Sequence, residues 1–114
     1  MTRQEMFDIV SKHLLTQMTP SKVTYLDGVK GCAYRGDGGL MCAIGCLIPD
    51  SVYTSKMEGN DVEGLIQDFD IPGLEEKDVD FLCDLQNIHD NEQPDTWERE
   101  LRATAAAYNL EFNA

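Results

Sequence analysis

Leu40-Met41-Cys42-Ala43-Ile44-Gly45-Cys46-Leu47-Ile48 is the longest apolar run in the chain, and the way it folds decides the architecture. It has no polar face, so neither the period of a helix nor that of a strand can be read from it. A short buried helix and a central strand both fit. Helix is the expectation, because Ala43, Gly45 and Cys46 are small and let neighbouring backbones approach closely. Pro49-Asp50 stops the run. It falls well short of the roughly 18 to 20 apolar residues that a membrane span needs.

Working outward, Arg35-Gly36-Asp37-Gly38-Gly39 reads as a loop, since glycine crosses freely to positive φ. Before it, Val23, Thr24 and Tyr25 suit a strand, Asp27-Gly28 a tight turn, and Val29 to Tyr34 a returning strand. A lone hairpin is marginal in water, so this one must rest on helices. Thr2 and Glu5 have the spacing of a capping box. Met6, Phe7, Val10, Leu14 and Met18 follow at helical spacing, and Thr19-Pro20 ends that helix. Downstream, Asn60 with Glu63 repeats the cap pattern ahead of Val62, Leu65, Ile66 and Phe69. Ile71-Pro72-Gly73 breaks the pattern. Leu74 to Asn91 reads as the next helix, with Phe81, Leu82, Leu85 and Ile88 inward and Glu75, Glu76, Asp80 and Asp84 outward. Asp95 with Glu98 caps the last helix, whose core face is Trp97, Leu101, Ala105 and Tyr108, and Leu110 and Phe112 pack down behind it. No repeat or linker interrupts residues 1–114. The expected fold is mainly α, a single-domain bundle of about five helices with a small β-hairpin.

Charge is the most informative bulk property. The net charge of the 114-residue chain is -12, and it is unevenly spread. Residues 1–57 hold six basic and five acidic side chains, whereas residues 58–114 hold three basic and sixteen acidic ones. Such a field repels nucleic acid and anionic membranes and draws basic surfaces, including those that normally hold DNA or RNA. Solubility is the competing explanation of the acidity. Glu75, Glu76, Asp78, Asp80 and Asp84 crowd the start of one expected helix and are the candidate binding residues. Carboxylates there also favour the helix dipole. Met1-Thr2-Arg3-Gln4-Glu5 lacks the apolar stretch of a signal peptide, so a cytoplasmic protein is expected.

Cys32, Cys42, Cys46 and Cys83 are expected to be free thiols that act as small hydrophobes. A tetrahedral zinc site built on Cys32, Cys42 and Cys46, with Cys83 or a histidine as fourth ligand, is the alternative. There is no C-x-x-C pair, and the gap after Cys32 is not a finger spacing, so neither metal nor cofactor is expected. His13 lies beside Leu14 on the first helix, and His89 lies at a helix end, where histidine usually partners the dipole. Cys83 and His89 do not share a helical face, and no local nucleophile–base pair is present. Gly36-Asp37-Gly38-Gly39 has the glycines of an anion-binding nest, but the Lys-Ser/Thr of a P-loop is missing and Asp37 is negative. The aspartates at 61, 68 and 70 lack the alternation and closing glutamate of a calcium loop. No catalytic residue is expected and the chain is read as a binding protein. A small enzyme with a scattered active site remains the further alternative.

One block adds a setting. Cys32-Ala33-Tyr34-Arg35-Gly36, then Gly39 through Asp50, Tyr53, and Met57-Glu58-Gly59 resembles a block shared by small uncharacterised proteins of tailed phages and prophage-bearing bacteria. The likeness runs over about residues 32–66, under a third of the chain. It carries no activity and no catalytic residue. It implies a phage-type accessory protein inside a bacterial cell, of the kind that binds and inhibits host factors, defence systems among them. The expected partner is a host protein with a basic surface, with no direct nucleic-acid binding and no membrane. A homo-oligomer stays open.

Overall fold

The capping box forms as its spacing predicts. Thr2 Oγ1 accepts from the Glu5 N–H at 3.1 Å, and the Glu5 carboxylate accepts from the Thr2 N–H at 3.0 Å. In the computed structural model, which describes residues 1–114, helix α1 therefore starts cleanly and runs Arg3–Gln17. It buries Met6, Phe7, Val10 and Leu14. Met18 differs from its expected core position. It is the left-handed end residue of the helix, at φ 51°, and is 45% exposed.

Two short strands follow, β1 (Lys22–Thr24) and β2 (Lys30–Cys32), paired antiparallel with Val23 opposite Gly31. The turn between them is a three-residue loop. The Gly28 N–H donates to the Tyr25 carbonyl at 2.9 Å, and Gly28 takes φ +83°, which a side chain would resist. Asp27 Oδ1 accepts from the Val29 N–H and holds the loop shut.

The remaining helices are α2 (Val62–Asp68), α3 (Val79–Asn91) and α4 (Trp97–Ala107). Three starts differ from expectation. The cap of α2 is Asp61, whose side chain accepts from the Gly64 N–H at 2.8 Å, rather than Asn60. Helix α3 begins at Val79 after a 3-10 turn over Glu76–Asp78, so Glu75 and Glu76 precede it. Helix α4 is entered through a 3-10 turn over Pro94–Thr96, and Asp95 caps nothing.

The fold is mainly helical, with four α-helices rather than about five. The missing one is Leu40–Ile48, which forms no α-helix. Met41 bridges Arg35 as an isolated antiparallel pair, Ala43 and Ile44 turn, and only Gly45–Leu47 makes a single 3-10 turn. The physical reason is that the first half of the run bonds elsewhere: Met41 pairs with Arg35 and with the Gln17 amide, and the Ile44 N–H donates to Gln86. Gly45 marks the closest approach, since a Cβ there would overlap the Tyr34 carbonyl oxygen. Cys42, Ala43, Ile44, Leu47 and Ile48 are all buried, which explains the absent polar face.

One contiguous core of 22 buried residues runs through the molecule, with Trp97, Phe7 and Phe81 among its largest fully buried members. Helix α1 packs on α4 and on the Gly45–Leu47 turn, while α3 packs on α2 and α4. The tail packs down as expected: Phe112 meets Phe7 edge-on at 6.3 Å, and the Glu111 N–H donates to Gln4 Oε1. No helix is long and apolar enough to cross a membrane.

Candidate functional site: a carboxylate face and a polar node

A buried irregular segment must satisfy its main-chain polar groups without a ladder. Here remote side chains supply the partners. Gln17 donates to the Met41 carbonyl at 2.9 Å and accepts from the Met41 N–H at 3.1 Å. His13 Nε2 donates to the same carbonyl at 2.8 Å, and Gln86 accepts from the Ile44 N–H at 3.1 Å. His13 is therefore a structural donor. Glu58 does most. Its Oε1 accepts from the Tyr34 N–H at 2.9 Å, while Oε2 accepts from the Arg35 N–H at 3.0 Å and from the Tyr53 O–H at 2.6 Å. Arg35 donates to the Ile48 carbonyl, pairs with Asp50 at 3.0 Å and lies over the Tyr53 ring. The Cys32–Gly59 block is thus a knot in which Tyr34, Arg35, Gly45, Asp50, Tyr53 and Glu58 hold one another. Burial, and then the hydrogen bond to Glu58, push the Tyr53 phenol up to about 12. Burial pushes Tyr34 higher still, and its O–H donates to the Asn60 carbonyl at 2.6 Å.

The expected binding carboxylates do not form one uniform row. Asp78 is buried and paired with Arg3 Nε at 2.9 Å. That guanidinium also donates to the Lys77 carbonyl and lies over the Phe81 and Tyr108 rings, so Asp78 fastens α1 to the start of α3. Glu75 is exposed but lies 3.5 Å from Lys77. Asp84 is exposed and accepts from the Tyr108 O–H at 2.6 Å, the main reason that the phenol is pushed up to about 12. Glu76 and Asp80 line a groove of ≈ 280 Å³ together with Glu63, Gln67 and Val79. Glu63 lies on α2 and Asp61 is its cap, two carboxylates outside the run that charge density marks in the sequence. The acidic environment is felt at Cys83: burial first, and then Asp61, Asp80, Asp84 and Glu63, raise its thiol. Every cation of residues 58–114 already has a carboxylate: Lys77 with Glu75, Arg99 with Glu100, and Arg102 with Glu98. None lies within 4 Å of Asp61, Glu63, Glu76, Asp80 or Asp84.

The cysteines do not gather as the zinc alternative supposed. Cys42 and Cys46 are neighbours whose thiols burial pushes up to about 12. Cys32 lies elsewhere, with His89 and Asp90, all three donor atoms within 4.8 Å of one another. Partial burial raises the Cys32 thiol, and the neighbouring Asp90 carboxylate raises it further, so it is no activated nucleophile. His89 is buried and stacked on Trp97, with ring centroids 5.8 Å apart. Its Nε2 accepts from the Ser21 N–H at 2.7 Å, which leaves the proton on Nδ1, donated to Asp90 at 2.8 Å. A metal at this node must take Nδ1. The displaced proton then has only Nε2 to occupy, and there it would face the Ser21 N–H donor. A neutral metal-bound histidine normally donates outward from its second nitrogen. The donor set therefore suits a metal, but the surroundings of His89 do not. The node instead ties β2, the residue before β1 and the end of α3 together, with Gln86 also donating to Asp90 at 2.8 Å.

No protein-family model, curated protein or solved structure matches the chain.

Proposed function

We propose that the chain is a phage-type accessory protein that binds and modulates a host protein with a basic surface, in the bacterial cytoplasm. The contact is made by the carboxylate face of α2 and α3. The observation that carries this reading is the one-sided pairing. The cations of residues 58–114 are taken up by Glu75, Glu98 and Glu100, while Glu63, Glu76 and Asp80 line a groove without a countercharge. Carboxylates crowded in this way repel one another, and a basic partner relieves that repulsion. Glu63 and Asp80 lie in the first turns of α2 and α3, where a carboxylate also favours the helix dipole, whereas Glu76 lies in the 3-10 turn before α3. The partner class includes factors that hold nucleic acid, because a cluster of unpaired carboxylates offers the negative charge that surfaces built for phosphates attract.

The test is capture from a bacterial host lysate on the immobilised chain, in parallel with the variant Glu63→Gln/Glu76→Gln/Asp80→Asn. All three positions avoid the core, so the variant keeps the parent fold. A basic protein retained by the parent and lost by the variant is the expected result. A partner retained equally by both places the contact elsewhere.

A further inference from the structure

Beyond Leu110 the chain is bound as a ligand is bound. The Leu110 N–H closes the end of α4 on the Ala105 carbonyl at 2.8 Å, after Asn109 has turned left-handed at φ 56°. Residues 111–114 then make no bond from main chain to main chain. Side chains of α1 hold them instead. Gln4 takes both main-chain groups of Glu111: its Oε1 accepts from the Glu111 N–H and its Nε2 donates to the Glu111 carbonyl, each at 2.9 Å. Asp8, one turn further along α1, accepts from the Asn113 side-chain amide at 3.1 Å and from Gln4 at 2.8 Å, which fixes the Gln4 amide in place. Between these two contacts the Phe112 ring meets Phe7 edge-on, and the Arg102 guanidinium of α4 lies 4.1 Å from its centroid. A clamp on the main chain beside a slot for one side chain is how extended peptides are recognised. The segment is also lightly held. All three hydrogen bonds that fasten residues 111–113 are exposed, and Phe112 is half-buried. Such a segment opens at a smaller free energy than the whole fold.

We propose that the slot between α1 and α4 is a docking site for an extended segment of a partner protein, one that carries a phenylalanine followed by a carboxamide, and that residues 111–113 fill the slot in cis until displaced. The seated segment supplies the chemistry of the occupant. Gln4 pairs with main chain alone, so it accepts any residue at its position, and the Glu111 side chain is exposed there. The next position is selective. An aliphatic group would forfeit the cation–π contact with Arg102 and the edge contact with Phe7. The position after it is read by Asp8, which requires a donor. A second copy of the chain is opposed as occupant by its own net charge of -12. Opening the segment uncovers the edge of Phe7, which is otherwise fully buried in the core, so an empty slot is costly and an exchange of one occupant for another is favoured. The slot uses none of Glu63, Glu76 and Asp80, and therefore stands or falls apart from the carboxylate face.

The probe is a fluorescein-labelled peptide with the chain's own sequence from Tyr108 to Ala114, titrated with the full chain and read by anisotropy. Phe112→Ala empties the slot at a half-buried position and leaves Gln4, Phe7, Asp8 and Arg102 in place, so its circular dichroism should match the parent's. The variant is expected to bind the peptide at least about tenfold more tightly than the parent, in which only the open fraction is competent. Adding Gln4→Ala should weaken that binding several-fold, and a peptide with Phe112→Ala should bind neither chain. Equal binding to parent and variant, or none to either at about 1 mM peptide, overturns the proposal. Hydrogen exchange in the parent tests the displacement without any substitution. The Glu111 amide should exchange at least about a hundredfold faster than that of Leu101, buried in the middle of α4. Equal rates would mean that the segment opens only with the whole fold, and would overturn the proposal as well. Dimerisation of the parent in sedimentation velocity, lost in Phe112→Ala, would give the slot to a second copy and equally overturn it.

Discussion

Replacing Glu58 tests the knot around which the irregular middle of the chain is built. Glu58→Ala removes three acceptor contacts at once, those to the Tyr34 N–H, the Arg35 N–H and the Tyr53 O–H. The Tyr53 hydroxyl can turn to water, so its loss counts little. The two main-chain donors are part-buried and fixed, and each costs about 1–3 kcal/mol when left without an acceptor. The expected destabilisation is therefore about 3 kcal/mol, a large share of the 5–15 kcal/mol that holds a typical domain. Glu58→Gln keeps one acceptor for the Tyr34 N–H but points an amide N–H₂ at the Arg35 N–H, so about half that loss is expected. Urea unfolding followed by circular dichroism gives both values. The order parent, Gln, Ala should appear at the midpoint with the slope unchanged. In Glu58→Ala, hydrogen exchange at the Tyr34 and Arg35 amides should quicken more than exchange in α3. A Glu58→Ala variant within about 0.5 kcal/mol of the parent would refute the knot, since that is the ordinary scatter of surface substitutions.

Three further outcomes are expected. Gly45→Ala forces a methyl group into the Tyr34 carbonyl and should destabilise by about 3 kcal/mol, read by the same urea assay, whereas Gly38→Ala pays only for its positive φ. Tyr53 and Tyr108 hold their protons up to about 12, above the usual 10 of a free phenol, so the fold favours the neutral form. Their contribution to stability is complete below pH 10 and is lost as pH climbs through about 12, with tyrosinate absorbance late in the folded chain and earlier in urea. Cobalt(II) added to the reduced protein should give no thiolate charge-transfer band; a saturable band lost in Cys32→Ser would contradict the proton assignment at His89.

Much of the helical frame is legible in the sequence because its signals are local. The Thr2–Glu5 box, the inward set Phe81, Leu82, Leu85 and Ile88, and the run from Trp97 to Ala105 each lie within one helix. Asp27-Gly28 likewise announces its own turn. Leu40–Ile48 is illegible because its polar partners are Gln17, His13 and Gln86, all far away in the chain. A residue string with no polar face says only that it is buried. The same limit explains Asp78, which counts as a surface charge until Arg3 arrives from the other end of the chain. It also explains the Cys32–His89–Asp90 node, since no spacing rule joins β2 to the end of α3. The carboxylate face was half legible: Glu76 and Asp80 stand out on charge density, whereas Asp61 and Glu63 join them only because α2 packs beside α3.

The most direct test of the central claim is the association rate of the chain with its captured partner, measured by stopped flow at low and at physiological salt. At physiological salt the screening length is about 8 Å, so only carboxylates near the contact act strongly. The parent rate should fall steeply as salt rises. Glu63→Gln/Glu76→Gln/Asp80→Asn should associate several-fold more slowly at low salt and lose most of that salt dependence, with its unfolding midpoint held. Equal rates for parent and variant at both salt concentrations would contradict the account and leave the acidity of this face to solubility alone.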